Sequence, residues 1–162
     1  MVAVRRLGLA GIAILGLALA APASAETASP GLTGFPTVDI RIVAPSGAGR
    51  PCTFDEQSLR NAVVKGLGPS GPQVGTSALT LRLRVTTLHD AIANTCFSAL
   101  ELTALTTQKV IVQANRVELI TEIPLWDQTT LAVSPSGAHL DRVSAQIGEV
   151  TRNFVGDWRL AQ

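Results

Sequence analysis

The sequence predicts an α+β fold, a two-layer sandwich in which an antiparallel sheet carries two helices on one face. Three observations carry that expectation. Leu79, Leu81, Leu83 and Val85 alternate with Thr80, Arg82, Arg84 and Thr86, the period of a strand with one buried face. Leu140, Val143, Ile147, Val150, Phe154 and Trp158 recur at steps of three and four, the apolar stripe of a helix. The resulting order, β-α-β-β-(β)-α, places a run of meandering strands between two helices, as in an antiparallel α+β sandwich.

Residues 1–25 read as a secretion signal, with Arg5 and Arg6 as a basic start, an apolar run over residues 7–21, and Ala23, Ser24 and Ala25 as a small-residue cleavage site before Glu26. A membrane anchor needs about 20 predominantly apolar residues. This run is shorter and Pro22 breaks it. Residues 26–37, rich in Thr, Ser, Pro and Gly, are expected to be a flexible leader, and residues 38–162 a single domain. Val38, Ile40 and Ile42 alternate with Asp39 and Arg41 as a short first strand. After a Gly-rich turn at residues 45–51, Thr53 and Glu56 stand in the spacing of a capping box. The helix that follows has Leu59, Val63 and Leu67 on one face and ends at Gly66, Gly68 and Pro69.

Residues 69–77 form a polar loop, and the strand from Leu79 to Val85 turns through residues 89–95 into a second one. In that second strand Cys96, Ser98, Leu100, Leu102 and Ala104 share a face, so the two runs pair as a hairpin. Residues 110–112 and 117–123 supply further strand, with residues 113–116 as a turn, bulge or register change. The Pro124, Leu125, Trp126 and Asp127 stretch interrupts the pattern, and residues 129–133 are a short edge strand before a turn at residues 135–137.

Cys52 and Cys96 are the only cysteines, and an even pair in an exported chain is read as a disulfide. With Arg5 and Arg6 removed the formal net charge passes from +1 to slightly negative. No basic run remains, Lys65 and Lys109 are the only lysines, and Tyr is absent, which argues against nucleic acid as a partner.

Catalytic and cofactor motifs are sparse. His139 and Asp141 have the His-x-Asp spacing, but no third ligand accompanies them, so no metal is expected and the pair reads as a solvated helix start. The loop at residues 45–51 lacks both nucleotide-binding glycine patterns, and no cofactor is expected. No Gly-x-Ser-x-Gly elbow is present, and Glu101, Glu118, Glu122 and Asp127 are scattered. His89 beside Asp90 is the one candidate acid/base pair, the basis of an alternative reading as a small secreted hydrolase. Trp126, one of two tryptophans, and the open-face arginines Arg82 and Arg84 are the partner-binding candidates, with Trp126 either a lid over the sheet edge or an interface anchor.

In layout, the signal segment, the strand from Val38, the capped helix from Thr53, the strands from Leu79 and Cys96 and the closing helix to Trp158 resemble small envelope proteins of Gram-negative bacteria. Among these, the layout is similar to auxiliary lipoproteins of ABC-type transport systems and of outer-membrane assembly. The resemblance implies a periplasmic or secreted, non-enzymatic binding or assembly-accessory protein whose partner is an envelope protein or a lipid-related component. Glu26 stands where a lipid-attachment cysteine would be, so this chain departs from the lipoproteins at that point.

Overall fold

A computed structural model describes residues 30–46, 51–112 and 117–162. The expected signal segment, residues 26–29 of the leader, most of the Gly-rich turn and the turn at 113–116 lie outside the described residues. The fold is α+β in two layers. Its strands are β1 (Thr37–Ser46), β2 (Gln73–Val74), β3 (Leu79–Asp90), β4 (Thr95–Val112) and β5 (Val117–Pro135), and its helices are α1 (Glu56–Leu67) and α2 (His139–Leu160). The five strands form one sheet in the order β2-β1-β3-β4-β5.

The sheet is mixed, which corrects the expected antiparallel one. β3, β4 and β5 form an antiparallel meander, but β1 runs parallel to both β3 and β2. The reason is α1, which carries the chain back along the sheet so that the next long strand starts at the same end as β1. β2 arises within the loop expected at residues 69–77, held by Gln73 N–H on the Pro36 carbonyl and Gly75 N–H on that of Val38, each at 3.0 Å.

Local chemistry explains the helix ends. α1 is capped by Asp55 rather than by Thr53: one carboxylate oxygen accepts from Ser58 N–H at 2.7 Å and the other from the Ser58 hydroxyl at 2.6 Å. The Ser58 side chain, then its amide, holds the Asp55 carboxyl below its ordinary pKa. Gly68 ends the helix at φ 58, a conformation that suits glycine.

Both helices cover the same face of the sheet. Val38, Ile40, Leu81, Leu83, Leu100 and Leu102 on that face meet Leu59 and Val63 of α1 and Val143, Ile147 and Phe154 of α2. The helices also touch each other closely, since a Cβ placed on Gly66 would lie 2.6 Å from that of Thr151. Leu32 and Phe35, in the stretch read as a flexible leader, pack onto the core: Leu32 is fully buried, and Trp158 Nε1 donates to the Phe35 carbonyl at 2.9 Å.

β4 and β5 are longer than the sequence pattern indicated. The stretch around Pro124 does not interrupt β5, because Leu125 forms a bulge: Ala104 faces Trp126 while Leu105 faces Pro124. β3 begins opposite Thr106, so residues 107–112 and 117–122 pair only with each other. They project beyond the sheet as a two-stranded arm of about 20 Å.

Candidate binding face

Among the described residues no helix covers one face of the sheet, and alternation along β3, β4 and β5 decides what it presents. Arg82, Arg84, Thr86 and Leu88 project from β3, Phe97, Ala99, Glu101 and Thr103 from β4, and Asp127, Thr129, Leu131 and Val133 from β5. At the centre the charges are paired. Glu122 bridges two guanidinium groups, Arg82 at 3.0 Å and Arg41 at 3.1 Å, and Arg84 meets Glu101 at 3.5 Å. Glu122, Arg41, Arg84 and Glu101 are well exposed and Arg82 half-buried, so solvent screens these pairs and their contribution to stability is small, about 0–1 kcal/mol each. Beside them lies a depression of about 440 Å³ lined by Arg82, Glu101, Thr103, Leu105, Glu122, Pro124, Asp127 and Thr129.

At one end the face turns apolar. Leu88, Phe97 and Val133 stand opposite one another across three strands, with Leu131 beside them, and they are 66%, 41%, 49% and 66% exposed. Ile92 in the adjoining turn is fully exposed. At the other end the arm carries exposed Val110, Ile111, Leu119 and Ile120, with Lys109 paired to Glu118 at 3.8 Å.

The structure brings Arg82 and Arg84 together on this face and places Trp126 on the opposite one. Trp126 is 9% exposed, its Nε1 donates to Asp157 of α2 at 2.6 Å, and its ring meets Phe154 edge-on with centroids 5.4 Å apart. A partner on the open face therefore reaches the arginines without touching the indole. Cys52 and Cys96 are joined, both buried, tying the approach to α1 to the start of β4.

His89 and Asp90 close the β3–β4 hairpin. Asp90 accepts from the amides of Ile92 and Ala93 at 2.9 and 3.1 Å, and His89 Nε2 lies 3.5 Å from Asn94 Oδ1. The carboxylate that the hydrolase reading needs to orient the imidazole is thus committed to the turn, and the imidazole contacts an amide oxygen rather than a nucleophile. No group of three or more metal-ligating side chains occurs among the described residues.

His139 departs from the expected solvated helix start. It is 1% exposed, with Nε2 2.8 Å from Ser98 Oγ, Nδ1 2.8 Å from Ser134 Oγ, and Phe54 against its ring. Ser98 in turn shares a hydrogen bond with Thr87 at 2.7 Å. The Ser98–His139 spacing is that of a nucleophile and its base, but the serine is fully buried and among the described residues the other ring nitrogen meets Ser134 rather than a carboxylate. The signal for this chain was available: Thr87 and Ser98 sit at inward positions of their strands, and buried hydroxyls require partners.

Desolvation holds the His139 pKa below its ordinary 6.5. The unfolded chain therefore takes up a proton near that value while the native chain does not, so stability is full above it. It falls as pH drops through 6.5 toward the lowered native pKa and is not lost further below that. Urea unfolding midpoints are expected to decrease from about pH 7.5 to about pH 5, and His139→Gln, which retains a donor and an acceptor, is expected to flatten the decrease. An equal slope in both proteins would assign it elsewhere.

No family model and no curated protein matches this chain. Among solved structures, it is similar to a minor lipoprotein from Acinetobacter baumannii, with 11% identity, a TM-score of 0.42, and coverage of 76% of this chain and 92% of that one. It is also similar to a PelC dodecamer from Paraburkholderia phytofirmans, with 11% identity, a TM-score of 0.44, and coverage of 74% and 86%.

Proposed function

We propose that this chain is an exported, non-enzymatic binding or assembly-accessory protein of the cell envelope, periplasmic or secreted, that docks a protein partner on the open face of its sheet. The observation that carries the proposal is the face that no described helix covers, with the Leu88–Phe97–Val133 row at one end and the paired Arg82 and Arg84 at its centre. An apolar anchor with charges to one side has the composition of a recognition surface, the first supplying affinity and the second register. Export is supported by the amino-terminal sequence and by the buried disulfide, a bond that persists in oxidising compartments.

Immobilised protein incubated with envelope extract is the test. A retained partner is expected to bind at least about tenfold more weakly to Phe97→Asp and to Arg84→Glu, both of which replace exposed side chains and preserve the fold. A partner held equally by the wild type and both variants would place the docking surface elsewhere.

A further inference from the structure

The two edges of the sheet are built differently. β2, at one edge, has two residues and offers little to pair with. β5, at the other, has 19 residues and among the described strands pairs with β4 alone. Natural sheets guard a long edge with charge, proline, bulges or a covering element, because its outward N–H and C=O groups are a template for another strand. β5 has such guards at Pro124, at the Leu125 bulge and at Pro135, but residues 128–134 contain no charge, proline or glycine. Thr129, Thr130 and Val133 there are β-branched and favour an extended backbone.

We infer that this edge pairs with the same edge of a second copy of this chain, antiparallel about a two-fold axis at Thr130. The register is self-complementary. It sets Thr130 opposite its mate, Leu131 opposite Thr129, Gln128 opposite Ala132 and Asp127 opposite Val133, so no like charges meet. On the open face the two Leu131 side chains become diagonal neighbours, which partly covers a residue that is 66% exposed in one chain.

The helix layer independently favours the same axis. α2 runs antiparallel to β5 along this edge, because Thr130 bonds Gln146 at 3.0 Å, Gln128 bonds Asn153 at 3.2 Å and Trp126 bonds Asp157 at 2.6 Å. An axis at Thr130 therefore passes beside Gln146 and sets α2 antiparallel to its mate. Arg142 lies four residues before Gln146 and Glu149 three after, on the flank of α2 turned away from α1. Both are exposed and neither forms an ion pair among the described residues. The two-fold brings Arg142 of each copy to Glu149 of the other. Nine paired residues make a seam about 30 Å long and, with a helix layer above the sheet, about 20 Å deep. That is roughly 600 Å² per partner, the lower end of the range for stable interfaces.

Sedimentation equilibrium of the signal-free chain reads the result without any partner, so its outcome is separate from that of the open-face proposal. The wild type is expected to sediment at twice the chain mass. Leu131→Lys, which supplies the missing edge guard, and Arg142→Glu, which opposes two carboxylates, are each expected to halve that mass while leaving the circular dichroism spectrum unchanged. Arg142→Glu combined with Glu149→Arg is expected to restore it. A monomeric wild type, as when the edge awaits a strand of a different protein, would overturn the inference. So would a dimer that survives both Leu131→Lys and Arg142→Glu.

Discussion

Replacing Cys52 and Cys96 together with alanine is expected to lower the free energy of unfolding by about 4 kcal/mol, the chain-entropy value for a closed loop of this size. The two cysteines are 44 residues apart, and the segment between them contains α1, β2 and β3. In the unfolded chain the bond holds the ends of that segment together, removing conformations that the open chain would otherwise explore. The native state gains little in exchange, because Leu59, Val63, Leu81 and Leu83 already anchor the same elements in the core. Urea unfolding of the oxidised wild type and of the alanine variant measures the difference, and the melting temperature is expected to fall by roughly 10–15 °C. Both cysteines are buried, so reductant alone is expected to act slowly on the native protein and rapidly once denaturant opens it. Coincident unfolding curves for the two proteins would show that the denatured chain is already compact enough for the bond to add nothing.

Much of this architecture is written in local periodicity, and what is not depends on distant residues. The alternation from Leu79 to Val85 and the stripe from Val143 to Phe154 are legible because one buried face imposes one period, and the structure buries those residues. Leu140 belongs to the same stripe by spacing but is 42% exposed, since it lies on the α1 side beside Ser58 and Ala62, while its neighbour His139 meets the sheet. The direction of β1 is not legible: alternating Val38, Ile40 and Ile42 look the same in a parallel and an antiparallel pair. Pro124 suggested a break, yet a single bulged residue, Leu125, lets the strand continue past it. Thr53 and Asp55 both precede α1, and which of them caps it is decided by where Ser58 presents its amide and hydroxyl. Of the candidate docking residues, Arg82 and Arg84 follow from strand parity, which puts them opposite the leucines of the core. Trp126 does not, because the bulge immediately before it sets which face it occupies.

That placement gives Trp126→Ala the other large expected effect. Truncating a buried tryptophan costs about 3–5 kcal/mol, from the apolar area lost and the cavity left. Here the cavity would open between β5 and α2, where the indole meets Phe154, itself fully buried. The substitution also removes the donor to Asp157, leaving a half-buried carboxylate without its 2.6 Å partner. Trp126→Phe retains most of the ring and loses mainly the hydrogen bond, so its expected cost is smaller, about 1–2 kcal/mol. The measurement is urea unfolding of both variants, read beside partner retention by the folded fraction. If the indole is a core residue, stability drops in the order wild type, Trp126→Phe, Trp126→Ala, while folded Trp126→Ala holds the partner as the wild type does. The opposite pattern, unchanged unfolding with loss of the partner, would mean that the indole leaves its seat on α2 to form the contact. The geometry weighs against that movement, because withdrawing the ring breaks its bond to Asp157 and uncovers the edge of Phe154 at once.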